Sequence, residues 1–177
     1  MIVYFLRHAS AGQSVMDPQA DSRRPLDREG VEQCALIGRA LAAAGVTPDE
    51  IISSPLQRAA QTASLTAKEL GYQQEIQYSE VLAKETNFKG FLGLLREHAG
   101  RKAVMVVGHN PSLSQYLSLV MSGGAGDSGV ELKKGAVAKV ETGARGQGVL
   151  HWCLTPKLVR SIQEARISSS RPKTSRK

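Results

Sequence analysis

Five apolar residues, Ile2-Val3-Tyr4-Phe5-Leu6, stop abruptly at Arg7-His8-Ala9. A continuous run of β-formers with no polar alternation fits a strand covered on both faces, as in a parallel sheet flanked by helices. It also carries two polar side chains to the end of that strand. The arrangement recurs twice. Ile51-Ile52-Ser53-Ser54-Pro55-Leu56-Gln57-Arg58 leads from a strand into a helix that bears a second arginine. Ala103-Val104-Met105-Val106-Val107-Gly108-His109-Asn110-Pro111 leads from a strand into a turn that bears a second histidine.

The rest of the chain supplies what such a sheet needs. Residues 9–25 form a long polar loop, of the kind that is often functional in a compact domain. Asp27 caps a helix with apolar positions Val31, Cys34, Ala35, Ile37, Leu41 and Ala42, stopped at Gly45. Residues 50–53 make a second strand. Ser54-Pro55 predicts a capped helix running to Gly71. A third strand is expected over 75–79, a helix over 86–98, and a helix from Pro111 to about Met121 behind an Asn110 cap. Residues 136–141 and 148–154 read as a hairpin, followed by a short helix after Pro156. The domain is placed at 1–160 and a basic, disordered tail at 161–177, too polar to pack from about Ile167. Alternating strands and helices predict an α/β fold, a three-layer α/β/α sandwich with a mostly parallel central sheet. Ligands bind such sheets beyond the carboxyl ends of the strands, where the three stretches would converge.

Composition narrows the class. The 177 residues are 41% hydrophobic and 22% charged, ordinary for a globular protein. No apolar run approaches the ~20 residues of a membrane helix, and the first residues do not read as a signal peptide. A cytoplasmic protein with no membrane partner is expected. Cys34 and Cys153 show no metal-ligand spacing and are expected as free, buried thiols. The formal charge is +7, but the stretch from Lys157 to Lys177 holds seven basic residues against Glu164. The high pI therefore belongs mainly to the tail and does not point to nucleic acid.

Two Arg and two His at converging strand ends suit phosphoryl transfer. Arg7 and Arg58 can meet a dianion in bidentate fashion, better than lysine would. Helix N-termini at Ser54-Pro55 and Asn110-Pro111 would add backbone donors. His8, fixed by a rigid strand, is the candidate nucleophile for a phosphohistidine intermediate. His109 is the candidate second donor to the phosphoryl oxygens. Arg24 and Asn110 are candidate substrate contacts. The scheme requires no metal or other cofactor.

The motifs Leu6-Arg7-His8-Ala9, Ser53-Ser54-Pro55-Leu56-Gln57-Arg58-Ala59-Ala60-Gln61-Thr62-Ala63 and Val107-Gly108-His109-Asn110-Pro111 resemble the three blocks of the histidine phosphatase superfamily, with its phosphoglycerate-mutase-like fold. The short chain and Arg24-Pro25-Leu26 are most similar to its bacterial SixA-type phosphohistidine phosphatases. The resemblance spans roughly residues 1–160. It implies that His8 is the phosphorylated nucleophile and that Arg7, Arg58 and His109 form the phosphate pocket. It also implies a phosphohistidine-bearing protein, a phosphotransfer domain or phosphocarrier, as substrate, with the enzyme acting as a monomer in signal transduction. Ala9 stands where most of the superfamily has Gly.

The general acid is open between Glu80, Glu85 and no residue. Glu80 equally suits a strand end, and Glu85 a helix start. An imidazole leaving group, with a conjugate-acid pKa of ~6.5, needs less protonation than an alkoxide. The runner-up is a phosphatase of small phosphate esters using one of these acids. A rival of another class is a module that binds phosphate without turnover. His98 is expected to offset a helix dipole, and His151 and Trp152 to pack.

Overall fold

The computed structural model describes residues 1–83, 87–126, 128–143 and 147–169. Its strands are β1 (Ile2–Arg7), β2 (Glu50–Ser53), β3 (Gln77–Tyr78), β4 (Ala103–Gly108), β5 (Val137–Thr142) and β6 (Gly148–Leu154). Its helices are α1 (Pro18–Ser22), α2 (Arg28–Ala43), α3 (Gln57–Leu70), α4 (Phe88–Glu97), α5 (Ser112–Ser122) and α6 (Pro156–Ser169). They build one six-stranded sheet in the order β3-β2-β4-β1-β5-β6. The pairs from β3 to β1 are parallel, and the β5–β6 hairpin adds to β1 antiparallel.

Alternate residues of each strand feed opposite cores. Val3, Phe5, Ile52, Val104 and Val106 face Phe91, Leu113 and Leu117 of α4 and α5. Tyr4, Leu6, Ile51, Met105 and Val107 face Leu36, Ile37 and Leu41 of α2, Ala59, Ala63 and Ala67 of α3, and Val159 of α6. Both faces are covered, which is why β1 and β4 carry uninterrupted apolar runs. The expected three-layer α/β/α sandwich is the observed one.

Register brings the three strand ends level. Arg7 lies opposite Gly108, and Ser53 opposite Val107. The next residues continue the ladder, with His8 N donating to Gly108 O at 3.0 Å and Ser54 N to Val107 O at 2.9 Å. His8, Ser54 and His109 therefore emerge side by side from adjacent strands.

Several boundaries differ from the sequence reading. The 9–25 loop contains α1, capped by Asp17, whose carboxylate accepts from Gln19 N and Ala20 N. The helix expected from Ser54-Pro55 starts at Gln57, with Leu56 at an uncapped position. The Ser54 hydroxyl accepts from Leu56 N at 3.2 Å, just ahead of the helix, and also contacts His109 Nε2 at 2.9 Å. Likewise α5 has Pro111 at its cap without a side-chain bond. The Asn110 amide bridges to Leu132 O and Ser114 Oγ instead. Strand β3 is only Gln77–Tyr78. Helix α6 runs to Ser169, beyond the short helix expected, so residues 161–169 are helical where a disordered tail was expected. Val159, 7% exposed, anchors it to the core. Residues 170–177 lie outside the described residues.

Three histidine and cysteine assignments also change. His98 does not simply offset a dipole: its Nδ1 lies 2.5 Å from Glu50 Oε2, and Arg101 binds the other oxygen. His151 is exposed and bonds Glu141 on the neighbouring strand, while Trp152 does pack, against Tyr4. Cys34 is buried and Cys153 half-buried, both free.

The loop after His8 is clamped onto α2 by close approach. A Cβ on Gly30 would fall 2.0 Å from Ser10 O. Gly30→Ala is expected to cost about 1–3 kcal/mol through forced displacement. Gly93 in α4 has nothing within 4 Å of such a Cβ. Gly93→Ala should gain about 0.5–1 kcal/mol from helix propensity. Urea unfolding of the two variants checks the contrast, and equal effects would contradict it.

Candidate active site

His8 is 7% exposed at the end of β1. Its Nδ1 sits 2.8 Å from Ala9 O. A carbonyl only accepts, so Nδ1 carries the proton and the lone pair of the neutral ring is on Nε2. Among the described residues Nε2 has no hydrogen-bond partner. Burial, reinforced by Arg58, Arg7 and Arg24 and opposed by the Ala9 bond, pushes the His8 imidazolium pKa down to about 3. His8 is therefore a neutral, singly oriented imidazole at physiological pH.

The guanidinium groups around it are held by one edge. Arg7 Nη1 donates to Leu132 O at 2.7 Å. Arg58, 1% exposed, donates Nη1 to Asp21 O at 2.8 Å, and its Nη2 lies 3.4 Å from Asp21 Oδ2. Burial lowers the Arg58 pKa from its ordinary value and Asp21 opposes the shift. Burial likewise lowers the Arg7 pKa, with Glu131 opposing. The Nε groups of both arginines are buried without a hydrogen-bond partner among the described residues. Unmet buried N–H donors on two cations, one buried and one half-buried, are costly unless an anion completes them. The site thus holds two orphan donors beside a nucleophilic nitrogen.

His109 completes the cluster. Its ring centroid is 4.9 Å from that of His8, and its Nε2 contacts Ser54 Oγ. Gly108 allows the turn before it: a Cβ there would meet Leu82 O at 3.2 Å and Leu113 at 3.4 Å. The four residues read from the three motifs, Arg7, His8, Arg58 and His109, are thus brought together.

The other candidates fare differently. Arg24 bonds Asp21 through Nε at 3.0 Å and the carbonyls of Ala11 and Gly12 through Nη1. It acts on His8 as nearby charge while its donors tie down the loop. Both ends of the Asn110 amide are engaged by protein groups. Glu80 is exposed at the start of a 3-10 turn, Glu80–Leu82, that follows β3. Glu85 lies outside the described residues.

Supporting residues were missed in the sequence. Asp21 links Arg58 and Arg24, and its only signal was an acid three positions before Arg24 in the loop after His8. Thr62 accepts from Ala9 N at 3.1 Å and donates to Arg58 O at 2.7 Å. Gln61 Oε1 accepts from Leu26 N. Asp27 receives Gly30 N, Ser10 Oγ and Gly12 N. Burial would raise its carboxyl pKa, but these bonds, with Lys134, hold it below the ordinary value.

A sequence profile of the histidine phosphatase superfamily (branch 1) matches residues 3–97. An uncharacterised protein of Picosynechococcus sp. is 33% identical over 147 residues, covering 81% of this chain and 87% of its own. Phosphohistidine phosphatase SixA of Escherichia coli K12 is 26% identical over 162 residues, covering 88% of this chain and 94% of its own. A structure of the protein histidine phosphatase SixA complexed with tungstate superposes with a TM-score of 0.78 at 23% identity, covering 90% of this chain and 99% of that one. The chain belongs to the histidine phosphatase superfamily. Phosphatase chemistry is the activity that this membership supports.

The titration of His8 checks the electrostatics. In NMR spectra of the ring, His8 should remain neutral down to pH 5, with its midpoint near 3. Sign follows: the unfolded ring takes a proton below about 6.5 while the folded ring does not until about 3. Stability contributed by the neutral ring is full above 6.5 and declines as pH falls through that window. A folded-state midpoint at or above 6 would contradict the burial and charge described.

Proposed function

We propose that the protein is a phosphohistidine phosphatase acting on a histidine of another protein, through a phosphohistidine on its own His8. The observation that carries this reading is the His8 ring, neutral, with its proton committed to Ala9 O, under the charge of Arg7 and Arg58, whose Nε donors have no partner among the described residues. Nε2 attacks phosphorus, a new P–N bond forms, and the P–N bond to the substrate imidazole breaks. The leaving imidazole keeps the electron pair and gains a proton from solvent. Water then attacks the phosphorylated His8, releasing inorganic phosphate and the free ring. Arg7 and Arg58 hold the equatorial oxygens through donors aligned beforehand, and His109 gives a further donor as charge shifts in the transition state.

Two observations favour a histidine-borne phosphoryl group. The likeness to SixA runs through 88% of this chain and 94% of that protein. Only residues 79–87 connect β3 to α4, too few for an inserted cap domain, which suits a substrate side chain presented by a protein. The imidazole leaving group also asks little of a general acid, whether Glu80, Glu85 or water supplies the proton. All four pocket residues come from one chain, so a monomer suffices. A reducing, cytoplasmic setting fits the two free thiols.

Purified protein, free of metal, should release phosphate from a phosphohistidine-bearing phosphotransfer domain and leave sugar and glycerate phosphates intact. His8→Ala should lower that rate at least about 10³-fold and abolish acid-labile phosphate on the enzyme. Turnover of the esters alone would replace this reading with an ester phosphatase. Binding of phosphate without any turnover would make it a binding module.

A further inference from the structure

A second concavity of about 510 Å³ opens directly beside the site and shares Arg7 with it. Its rim carries Lys133, Lys134, Lys157 and Arg160, against Glu29. Lys133 is partly neutralised by Glu131 at 2.6 Å. Lys134, Lys157 and Arg160 are exposed; Lys134 acts on Asp27 as nearby charge, and none of the three lies within ion-pair distance of a carboxylate among the described residues. Lys157 and Arg160, three apart on α6, share a helix face.

The position of this charge is fixed by the site itself. Gly135 N donates to His8 O at 3.2 Å, and Arg7 N to Ala136 O at 3.0 Å. The Lys133-Lys134 turn is therefore bonded to the backbone of the two residues that lead the phosphate pocket. Gly135 has φ +70, and a Cβ on it would meet Pro156 Cγ at 3.0 Å. The turn thus lies tight against the first residue of α6, which bears the other two cations.

We propose that this cleft docks an acidic segment of the phosphoprotein substrate, next to its phosphohistidine; the proposal rests on the phosphohistidine reading above. Exposed lysines and an arginine around a concave surface attract carboxylates and speed encounter, at ranges of about 8 Å in physiological salt. Among the described residues its lining has no aromatic side chain on which a nucleobase could stack. Arg7, which lines the cleft, directly precedes His8 in the chain, so a segment held there lies next to the phosphoryl site.

Charge reversal at Lys134, Lys157 and Arg160 together (K134E, K157E, R160E) separates docking from chemistry. The probes are a phosphohistidine-bearing phosphotransfer domain with acidic residues flanking its histidine, and free phosphoramidate as a small substrate. For the domain, kcat/KM should fall at least about tenfold, chiefly through KM, and its decline with added salt should flatten. For phosphoramidate, kcat/KM should stay within about twofold of wild type. If wild type cleaves both probes and the variant keeps full activity on both, or loses both equally, the docking proposal fails while the phosphohistidine reading stands. If wild type cleaves neither probe and hydrolyses only esters, the phosphohistidine reading fails, and the docking proposal with it. Tight binding of a short RNA that depends on the three cations, with domain turnover unaffected, would overturn docking in favour of nucleic acid.

Discussion

Burying the Arg58 guanidinium is the interaction on which the site depends. A charge 1% exposed carries a large desolvation cost, tolerable only where other groups meet it. Asp21 meets one edge through its backbone oxygen and its carboxylate. The Nε–H on its other edge is buried and has no hydrogen-bond partner among the described residues. The same Asp21 carboxylate holds Arg24, which in turn binds the carbonyls of Ala11 and Gly12. One buried acid therefore fixes a catalytic-site cation and the loop that follows the nucleophile. Replacing either partner alone would strand the other charge, which is why the arrangement is rigid before any substrate arrives.

The cations set the state of His8 as well. An exposed imidazole would titrate near neutrality, and a protonated ring has no lone pair to offer. Burial and three arginines keep His8 neutral to about pH 3, and the Ala9 carbonyl selects which nitrogen is free. Attraction for the phosphoryl dianion and activation of the nucleophile thus come from the same charges. The sheet supplies the precision: β1, β4 and β2 are parallel and in register, so their ends deliver these side chains to one place.

Much of this was legible from residues alone because strand ends are local signals. The apolar runs before Arg7-His8, Ser53-Ser54 and Gly108-His109 mark the strands, and parallel topology forces their carboxyl ends together. The Asp27 cap and the Gly71 stop were likewise readable, each from a short stretch. What escaped were pairings between residues distant in sequence. Asp21 and Arg58 are 37 positions apart, and Glu50 and His98 are 48 apart, so neither partner predicts the other. Asn110 was misread as a cap because Leu132 O and Ser114 Oγ engage its amide, while the Ser54 hydroxyl serves both the local Leu56 N–H and distant His109. The length of α6 was missed because its buried anchors, Pro156 and Val159, lie only in the first turn of an otherwise polar sequence.

The central claim is that Nε2 of His8 and the orphan Nε donors of Arg7 and Arg58 converge on one phosphorus. A crystal structure with orthovanadate tests it most directly. Vanadium is expected bonded to His8 Nε2, its oxygens accepting from Arg7 Nε and Arg58 Nε, with the Nδ1 bond to Ala9 O retained. Vanadate bound away from His8, or attached through Nδ1 with the Ala9 bond broken, would contradict it.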